Sequence, residues 1–202
     1  SRYRAASTTG LNIRSEQPRQ VGSDRVAAAV AARAKGKLPC VAVTLGTATT
    51  FTALDGSGAL VGSAITAGVQ LSLLALREQA AQLPAVAIDA KDEGILARNT
   101  VDAMRVGAVY GAASLVDGMV ERFAEALGET PYVVLTGELA PLVTPYLRIP
   151  FEYDESLVLD GLHLIWKKNR GKLRCGSEQI SLTKHKLYCA VPYRDGSRRN
   201  YK

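Results

Sequence analysis

Residues that could handle a phosphate group lie in a short stretch of this 202-residue chain, CVAVTLGTATTFTAL over residues 40–54. A β-branched, apolar segment runs into Gly46 and Thr47 and is followed by a second apolar segment, which predicts strand, tight turn and strand. Backbone N–H groups and threonine hydroxyls at such a turn can donate hydrogen bonds to phosphate oxygens. Threonine-rich hairpins are more often purely structural, so this stretch alone establishes no nucleotide site.

A second stretch, VGSDR over residues 21–25, precedes an alanine-rich segment. Ser23 is a favourable N-cap residue, Asp24 suits a first turn and Gly36 suits a helix end, so we predict a helix over residues 24–34. A carboxylate at the start of a helix usually serves only the helix dipole, and this alternative stays open for Asp24.

The remaining pattern predicts one α/β domain with a mixed sheet. Strands are predicted at 40–46, 50–54, 59–65, 85–88, 132–136 and 148–153. Helices are predicted from Gly68 to Pro84, from Asn99 and Thr100 to about 127, after TGELA, and over 157–168. The first is expected to carry Leu71, Leu74, Ala75 and Ala81 on one side, and the last to have Leu162, Ile165 and Trp166 facing in. Three strands that can pair antiparallel, followed by β/α alternation, favour a ribonuclease-H-like lobe flanked by helices.

Small residues recur every four positions along the longest predicted helix, at Ala103, Gly107 and Gly111. Their shared stripe lets another backbone come very close. Such a stripe usually packs on the sheet of its own domain, and a helix pair across a dimer interface is the alternative.

The charge of the chain is divided unevenly. From Lys167 onward eleven Lys and Arg face two Asp and Glu, so the net charge of +6 comes from the tail and the preceding body is slightly acidic. We expect residues 171–202 to be a disordered basic tail and regard nucleic-acid binding through it as the weaker interpretation.

The three cysteines and the hydropathy indicate a cytoplasmic protein. No two cysteines have CxxC spacing, which suits free thiols in a reducing compartment, and no metal site is expected from the two histidines. No apolar segment reaches the length of a membrane span, and the first residues lack the apolar core of a signal peptide.

Six motifs, VGSDR, LGTATT, GSAITAG, ARNT, TGELA and LVLDGL, occur in an order and at spacings that resemble the type III pantothenate kinases. The resemblance runs from about residue 13 to 169. It implies an actin-like fold, a homodimer, and transfer of the γ-phosphoryl group of ATP to pantothenate in coenzyme A synthesis. It also implies Mg²⁺ and a monovalent cation, K⁺ or NH₄⁺, as cofactors.

The resemblance also implies roles for individual residues. Asp24 matches the catalytic base, which would accept the proton of the attacking hydroxyl group. Positions that hold pantothenate are matched by Gly22, Ser23 and Arg25, and by Thr100, which in the family comes from the other subunit. The ATP-contacting positions are matched by Gly46, Thr47 and Gly137.

Several positions depart from the family pattern. The D-x-G-N-T phosphate loop is absent from the sequence, so we expect residues 1–38 to be a remnant of the first lobe and residues 39–170 to be the second lobe. Thr44 occupies the aspartate position that binds the monovalent cation, Ser15 replaces a tyrosine of the substrate pocket, and Glu138 replaces a glycine of the second nucleotide turn. These departures support an alternative hypothesis, a non-catalytic regulatory or structural relative.

Overall fold

A five-stranded mixed sheet forms the centre of the computed structural model, which describes residues 9–80, 82–88 and 94–170. The strands are β1 (Cys40–Leu45), β2 (Ala48–Leu54), β3 (Leu60–Ala67), β4 (Tyr132–Thr136) and β5 (Glu152–Tyr153). Their order is β3-β2-β1-β4-β5. The first three strands pair antiparallel, whereas β4 is parallel to both β1 and β5. The predicted ribonuclease-H-like lobe is therefore confirmed.

Helices cover both faces of this sheet. They are α1 (Ser23–Ala34), α2 (Val69–Gln79), α3 (Thr100–Leu127), the short α4 (Ala140–Val143) and α5 (Leu157–Asn169). Residues of α1 and α5 share one apolar cluster with the sheet, and residues of α2, α3 and α4 share the other. We call the two sides of the sheet the α1 face and the α3 face. Among the described residues, no helix combines the length and the apolar character needed to cross a membrane.

The α1 face is built from small side chains. Ala28, Ala29 and Ala32 of α1 are buried against Cys40 and Ala42 of β1. Because these side chains are short, the backbones can approach closely, and α5 then packs beside α1 on the same face.

The α3 face has a larger apolar core. Val116 and Val120 of α3 are buried in the cluster that contains Val41, Val43 and Phe51 of the sheet. Burying a valine or phenylalanine side chain stabilises a fold by roughly 1.5–3 kcal/mol, so this cluster holds the long helix on the sheet.

The predicted start of α3 is confirmed, whereas that of α1 shifts by one residue. The Asn99 side chain accepts a hydrogen bond from the Asp102 N–H at 3.0 Å, which caps α3. At α1 the helix begins at Ser23, and Gly22 takes the N-cap position with no side-chain cap. Ser23 is therefore not the cap, because the Gly22 carbonyl already accepts the first helical hydrogen bond, from the Val26 N–H at 3.1 Å.

Two predicted strands differ in the structure. Residues 83–88 contain no strand, and the last strand spans only Glu152–Tyr153. Residues 148–150 instead form a connection whose Arg148 and Ile149 N–H groups donate to the Asp117 carboxylate of α3.

The apolar side predicted for α2 is its exposed side, and the inward side of α5 differs from the prediction. Leu71 and Leu74 are 43% and 45% exposed, and Val69 and Leu73 are the buried residues of α2. In α5, Leu162 and Trp166 are exposed, whereas Leu157 and Gly161 are buried. The amphipathic pattern favoured the largest side chains, but Gly161 faces the backbone of α1, which packs closely beside α5.

The predicted basic tail, residues 171–202, lies outside the described residues. The proposed division at residue 38 concerns descent from a two-lobed protein and stays a prediction.

Candidate functional site

Three glycine-bearing turns meet where β1 and β4 end. The turn at Gly46 and Thr47 joins β1 to β2, Gly68 follows β3, and Gly137 follows β4. The Gly68 N–H donates to the Thr47 carbonyl at 3.0 Å, and the Leu139 N–H donates to the Leu45 carbonyl at 3.2 Å. These contacts hold the turns against one another at one edge of the sheet.

The packing of these turns requires glycine at two positions. A Cβ atom on Gly68 would lie 2.0 Å from the Gly46 carbonyl oxygen, and one on Gly137 would lie 2.3 Å from the Leu45 carbonyl oxygen. Gly137 also has a φ of 112°, which side-chain-bearing residues rarely adopt. Gly68 is buried, whereas Gly137 is partly exposed and presents backbone without a side chain over it, as a phosphate cradle requires.

The VGSDR stretch lies at the start of α1. Asp24 is exposed in the first helical turn, and its carboxylate lies against Gly22, since a Cβ atom there would be 2.6 Å from Asp24 Oδ1. The Arg25 Nη1 atom donates to Ser63 Oγ of β3 at 3.1 Å. This hydrogen bond fixes the start of α1 over β3, while Lys35 at the other end reaches Glu152 of β5. The helix therefore crosses the α1 face from β3 to β5.

The start of α1 lies near the edge where the turns meet. Ser63 pairs with Thr52 of β2, and Thr50 lies two residues closer to that edge on the same face. Two residues along a strand span roughly 7 Å. Ser63 lies four residues before Ala67, the last residue of β3, so Asp24 and Arg25 share a face of the sheet with the threonines that border the turn at Gly46 and Thr47.

A row of three threonines crosses this face at its edge. Thr50, Thr44 and Thr136 occupy directly paired positions on β2, β1 and β4. They lie on the α1 face because side chains alternate along a strand and Ala42 and Val134 belong to the α1-face cluster. The sequence places Thr50 among the threonines near the turn, but it does not reveal Thr136 or the row itself, because cross-strand pairing is not visible along one segment.

Thr50 has an unusual environment. Its side chain is more than nine-tenths buried, and its Oγ1 atom has no hydrogen-bond partner. A buried hydroxyl without a partner costs free energy, so such an atom in a native structure requires an explanation.

The residues at this edge do not fit a monovalent cation. Thr44 offers one neutral oxygen, and its two paired neighbours are buried threonines. Among the described residues, no group of three or more His, Cys, Asp and Glu side chains is placed to hold a metal ion. Hard cations are held mainly by carboxylate and carbonyl oxygens and by water, and the side chains of the threonine row supply no carboxylate.

Two further positions do not support the site within one chain: Thr100 lies apart from Asp24, and Glu138 carries an unfavourable charge. Thr100 is exposed at the start of α3, which packs on the opposite face of the sheet, so one chain does not bring Thr100 and Asp24 together. Glu138 is exposed beside Gly137, where its negative charge would repel a phosphate group.

Comparison with known proteins identifies the family of this chain. The family model of type III pantothenate kinases matches residues 2–122. The type III pantothenate kinase of Pelobacter propionicus is 44% identical over 162 residues, which cover 80% of this chain and 63% of that protein. The enzyme of the same name from Anaeromyxobacter sp. strain Fw109-5 is 43% identical over the same shares. The chain thus spans less than two thirds of the length of these relatives.

A solved structure supports the fold. A conserved Campylobacter jejuni protein named as a Baf family transcriptional activator superposes with a TM-score of 0.56 at 19% identity, over 82% of this chain and 72% of that one. At this identity the likeness concerns the fold alone. The family model, which matches more than half of this chain, shows that the chain belongs to the type III pantothenate kinase family.

Proposed function

We propose that this chain carries the substrate-binding and catalytic portion of a pantothenate kinase, which phosphorylates pantothenate to 4′-phosphopantothenate with ATP. The observation that carries the proposal is the shared location of VGSDR and the glycine-bearing turns. VGSDR begins α1 on the same face of the sheet as the threonines that border the turns, and the start of α1 is held over β3 by the hydrogen bond between Arg25 and Ser63.

Asp24 is proposed as the general base. In phosphoryl transfer the hydroxyl oxygen of the substrate attacks the γ-phosphorus, the bond to the β-phosphate oxygen breaks, and ADP leaves. The attacking hydroxyl group must lose its proton, which a carboxylate within hydrogen-bond distance can accept. Asp24 is exposed, so its carboxylate is open to a substrate at this edge.

Arg25, Gly22 and Ser23 are proposed to bind pantothenate. The guanidinium group of Arg25 can pair with the carboxylate of the substrate, because its planar set of donors matches two carboxylate oxygens. The hydrogen bond from Nη1 to Ser63 uses one N–H group of the Arg25 guanidinium, and its other N–H groups can still donate to a carboxylate. The Ser63 contact would therefore orient the guanidinium group before the substrate binds.

ATP is proposed to bind with Mg²⁺ at the turns of Gly46, Thr47 and Gly137. The turn contacts at Leu45 and Gly68 support this location, since they fix the backbone in place before any ligand binds. The Glu138 carboxylate opposes phosphate binding at the last of these turns, which predicts weaker ATP binding than a glycine there would allow.

A homodimer in the cytoplasm completes the proposal. The stripe of Ala103, Gly107 and Gly111 does not pack on the sheet but is exposed on α3, where a Cβ atom on either glycine would meet nothing within 4 Å. An equivalent helix of a second copy could approach closely there. In such a dimer Thr100 could reach the site of the other subunit.

The test is pantothenate phosphorylation by the 202-residue chain with ATP, Mg²⁺ and K⁺, measured by separating labelled product. We expect Asp24→Asn to lower the rate by roughly 10²-fold or more, since general base catalysis contributes on this order. Asp160→Asn is the matched control, because Asp160 also lies in the first turn of a helix, on α5.

Equal rates for the parent and Asp24→Asn would contradict the role of Asp24. If the parent formed no product at all, the proposed activity of this chain would be wrong, and the alternative of a non-catalytic relative would be favoured. Thr44, Ser15 and Glu138 are the departures on which that alternative depends.

A further inference from the structure

The unpartnered hydroxyl of Thr50 is the feature of this molecule that the proposed function leaves unexplained. Its Oγ1 atom is buried without a hydrogen bond, although the next residues of the hairpin are fully paired in the sheet. Threonine is energetically unfavourable at such a position unless its hydroxyl forms a hydrogen bond, because valine has the same shape without the desolvation cost.

The residue that faces Thr50 is Thr44. The two are directly paired across the antiparallel strands β1 and β2. Directly opposed side chains on one face have Cβ atoms about 4.5–5.5 Å apart, close enough for a polar pair. A threonine hydroxyl sits on Cβ itself and leaves Thr50 unsatisfied here, whereas an aspartate carboxylate extends one bond further and only accepts hydrogen bonds.

We propose that Thr44 leaves this edge of the sheet without a bound monovalent cation, in disagreement with what the family resemblance implies, and that the unpartnered Thr50 hydroxyl would donate to a carboxylate placed at position 44. This inference rests on the proposed function only for the location of the site. Its test requires neither ATP nor pantothenate, so it can fail while the proposed function holds.

Cation binding at this edge would depend on the charge at position 44 and on the orientation of a carboxylate there. Three neutral hydroxyls in a row, two of them on buried side chains, supply no negative charge to offset a cation. A carboxylate at position 44 would add that charge, and a hydrogen bond from Thr50 would hold one of its oxygens so that the other faces the edge. Metal-binding carboxylates are generally held by such outer hydrogen bonds.

The experiment measures thermal unfolding of the whole chain in KCl and in choline chloride at equal ionic strength. We expect the parent and Thr44→Asn to unfold at the same temperature in both salts. For Thr44→Asp we expect the midpoint to rise in KCl by about 3 °C or more, as binding to the folded state alone requires. Adding Thr50→Val to Thr44→Asp should remove most of this rise.

A second measurement does not depend on whether Thr44→Asp folds. In the parent background Thr50→Val should raise the midpoint in both salts by about 2 °C, because it removes an unsatisfied buried hydroxyl at constant shape. A potassium-specific rise in the parent would overturn the inference, as would a lower midpoint for Thr50→Val. A rise for Thr44→Asn equal to that for Thr44→Asp would show that charge is not the cause and would also overturn it.

Discussion

At the scale of single residues, a network of short polar contacts lies away from the candidate site, at the far end of α1. Lys35 Nζ lies 2.8 Å from Glu152 Oε1 and 2.6 Å from Asp154 Oδ2. The Tyr132 hydroxyl donates to the second oxygen of Glu152, and Lys37 Nζ lies 4.4 Å from the centre of the Tyr132 ring. This network joins α1 to β4 and β5 and so keeps the helix across the sheet.

The network shifts the pKa values of its members. Hydrogen bonds from Lys35 and then from Tyr132 lower the pKa of Glu152 from 4.5 to about 2. Burial, together with the hydrogen bond to Glu152, raises the pKa of Tyr132 to about 12. The two carboxylates raise the pKa of Lys35, the hydrogen bond with Asp154 most of all.

These shifts predict acid sensitivity. A carboxyl group with a lowered pKa in the folded state stabilises the fold above its unfolded pKa, and this contribution is lost as the pH falls from about 4.5 to about 2. We expect the urea midpoint of the parent to fall over this range and that of Glu152→Gln to fall less. Glu155→Gln, an exposed neighbour, is the matched control and should behave like the parent. Identical pH profiles for the parent and Glu152→Gln would refute this account.

The sequence could predict some of these residues but not others. VGSDR and LGTATT are contiguous, so their residue types and order were readable directly. The contact between Lys35 and Glu152 joins residues 117 positions apart, and the pair of Thr44 and Thr50 depends on strand register. Neither relation leaves a local pattern in the sequence.

At the scale of elements, the crossing of α1 and α5 depends on one glycine. A Cβ atom on Gly161 would lie 1.9 Å from the Ala27 carbonyl oxygen and 2.5 Å from its carbon. Backbone atoms cannot rotate aside as a flexible side chain can, so the two helices would have to separate.

The exposed aromatic residue of α5 makes a different kind of contact. Trp166 stacks on His163 with ring centres 5.8 Å apart.

Gly161→Ala is therefore expected to destabilise the fold, although alanine favours a helix by about 1 kcal/mol over glycine. Overpacking at a close backbone contact costs about 1–3 kcal/mol or more, so the net free energy of unfolding should fall. Gly118→Ala in α3 is the matched control, because its Cβ atom would meet only the Arg122 guanidinium group, at 3.2 Å. Chemical denaturation of both variants checks this. A Gly161→Ala protein as stable as the control would contradict the proposed close crossing.

Long elements with clear ends were predictable, and short or interface-facing ones were not. Strands β1 to β4 and helices α1 and α3 lie within a few residues of their predicted bounds, because capping residues and glycines mark them. The predicted strand at 85–88 is wrong, and the predicted inward residues of α5 include Leu162 and Trp166, which are exposed. The shared side of Leu71 and Leu74 is the exposed side of α2. In those helices the inward side is decided by what packs against them, which the periodicity alone does not contain.

At the scale of the whole molecule, α3 and α2 leave apolar and small residues uncovered. The exposed positions on α2 include Leu71, Leu74 and Leu76, each more than two fifths exposed, and α2 packs next to α3. The sequence offered two interpretations of the small-residue stripe, packing on the sheet or pairing across a dimer. The exposed stripe supports the second, and the dimer itself remains a proposal.

The dimer can be tested by placing one charge in the stripe. In the parent, size-exclusion chromatography with light scattering is expected to give twice the 21.5 kDa mass of the chain. Gly107→Glu should shift the protein to the monomer mass, because a buried carboxylate without a partner strongly disfavours an interface. Ala126→Glu changes an exposed residue near the end of the same helix and should leave the dimer intact. Since Thr100 would act across the dimer, Gly107→Glu should also weaken pantothenate binding. A monomeric parent, or a Gly107→Glu protein that stays dimeric, would exclude this stripe as the interface.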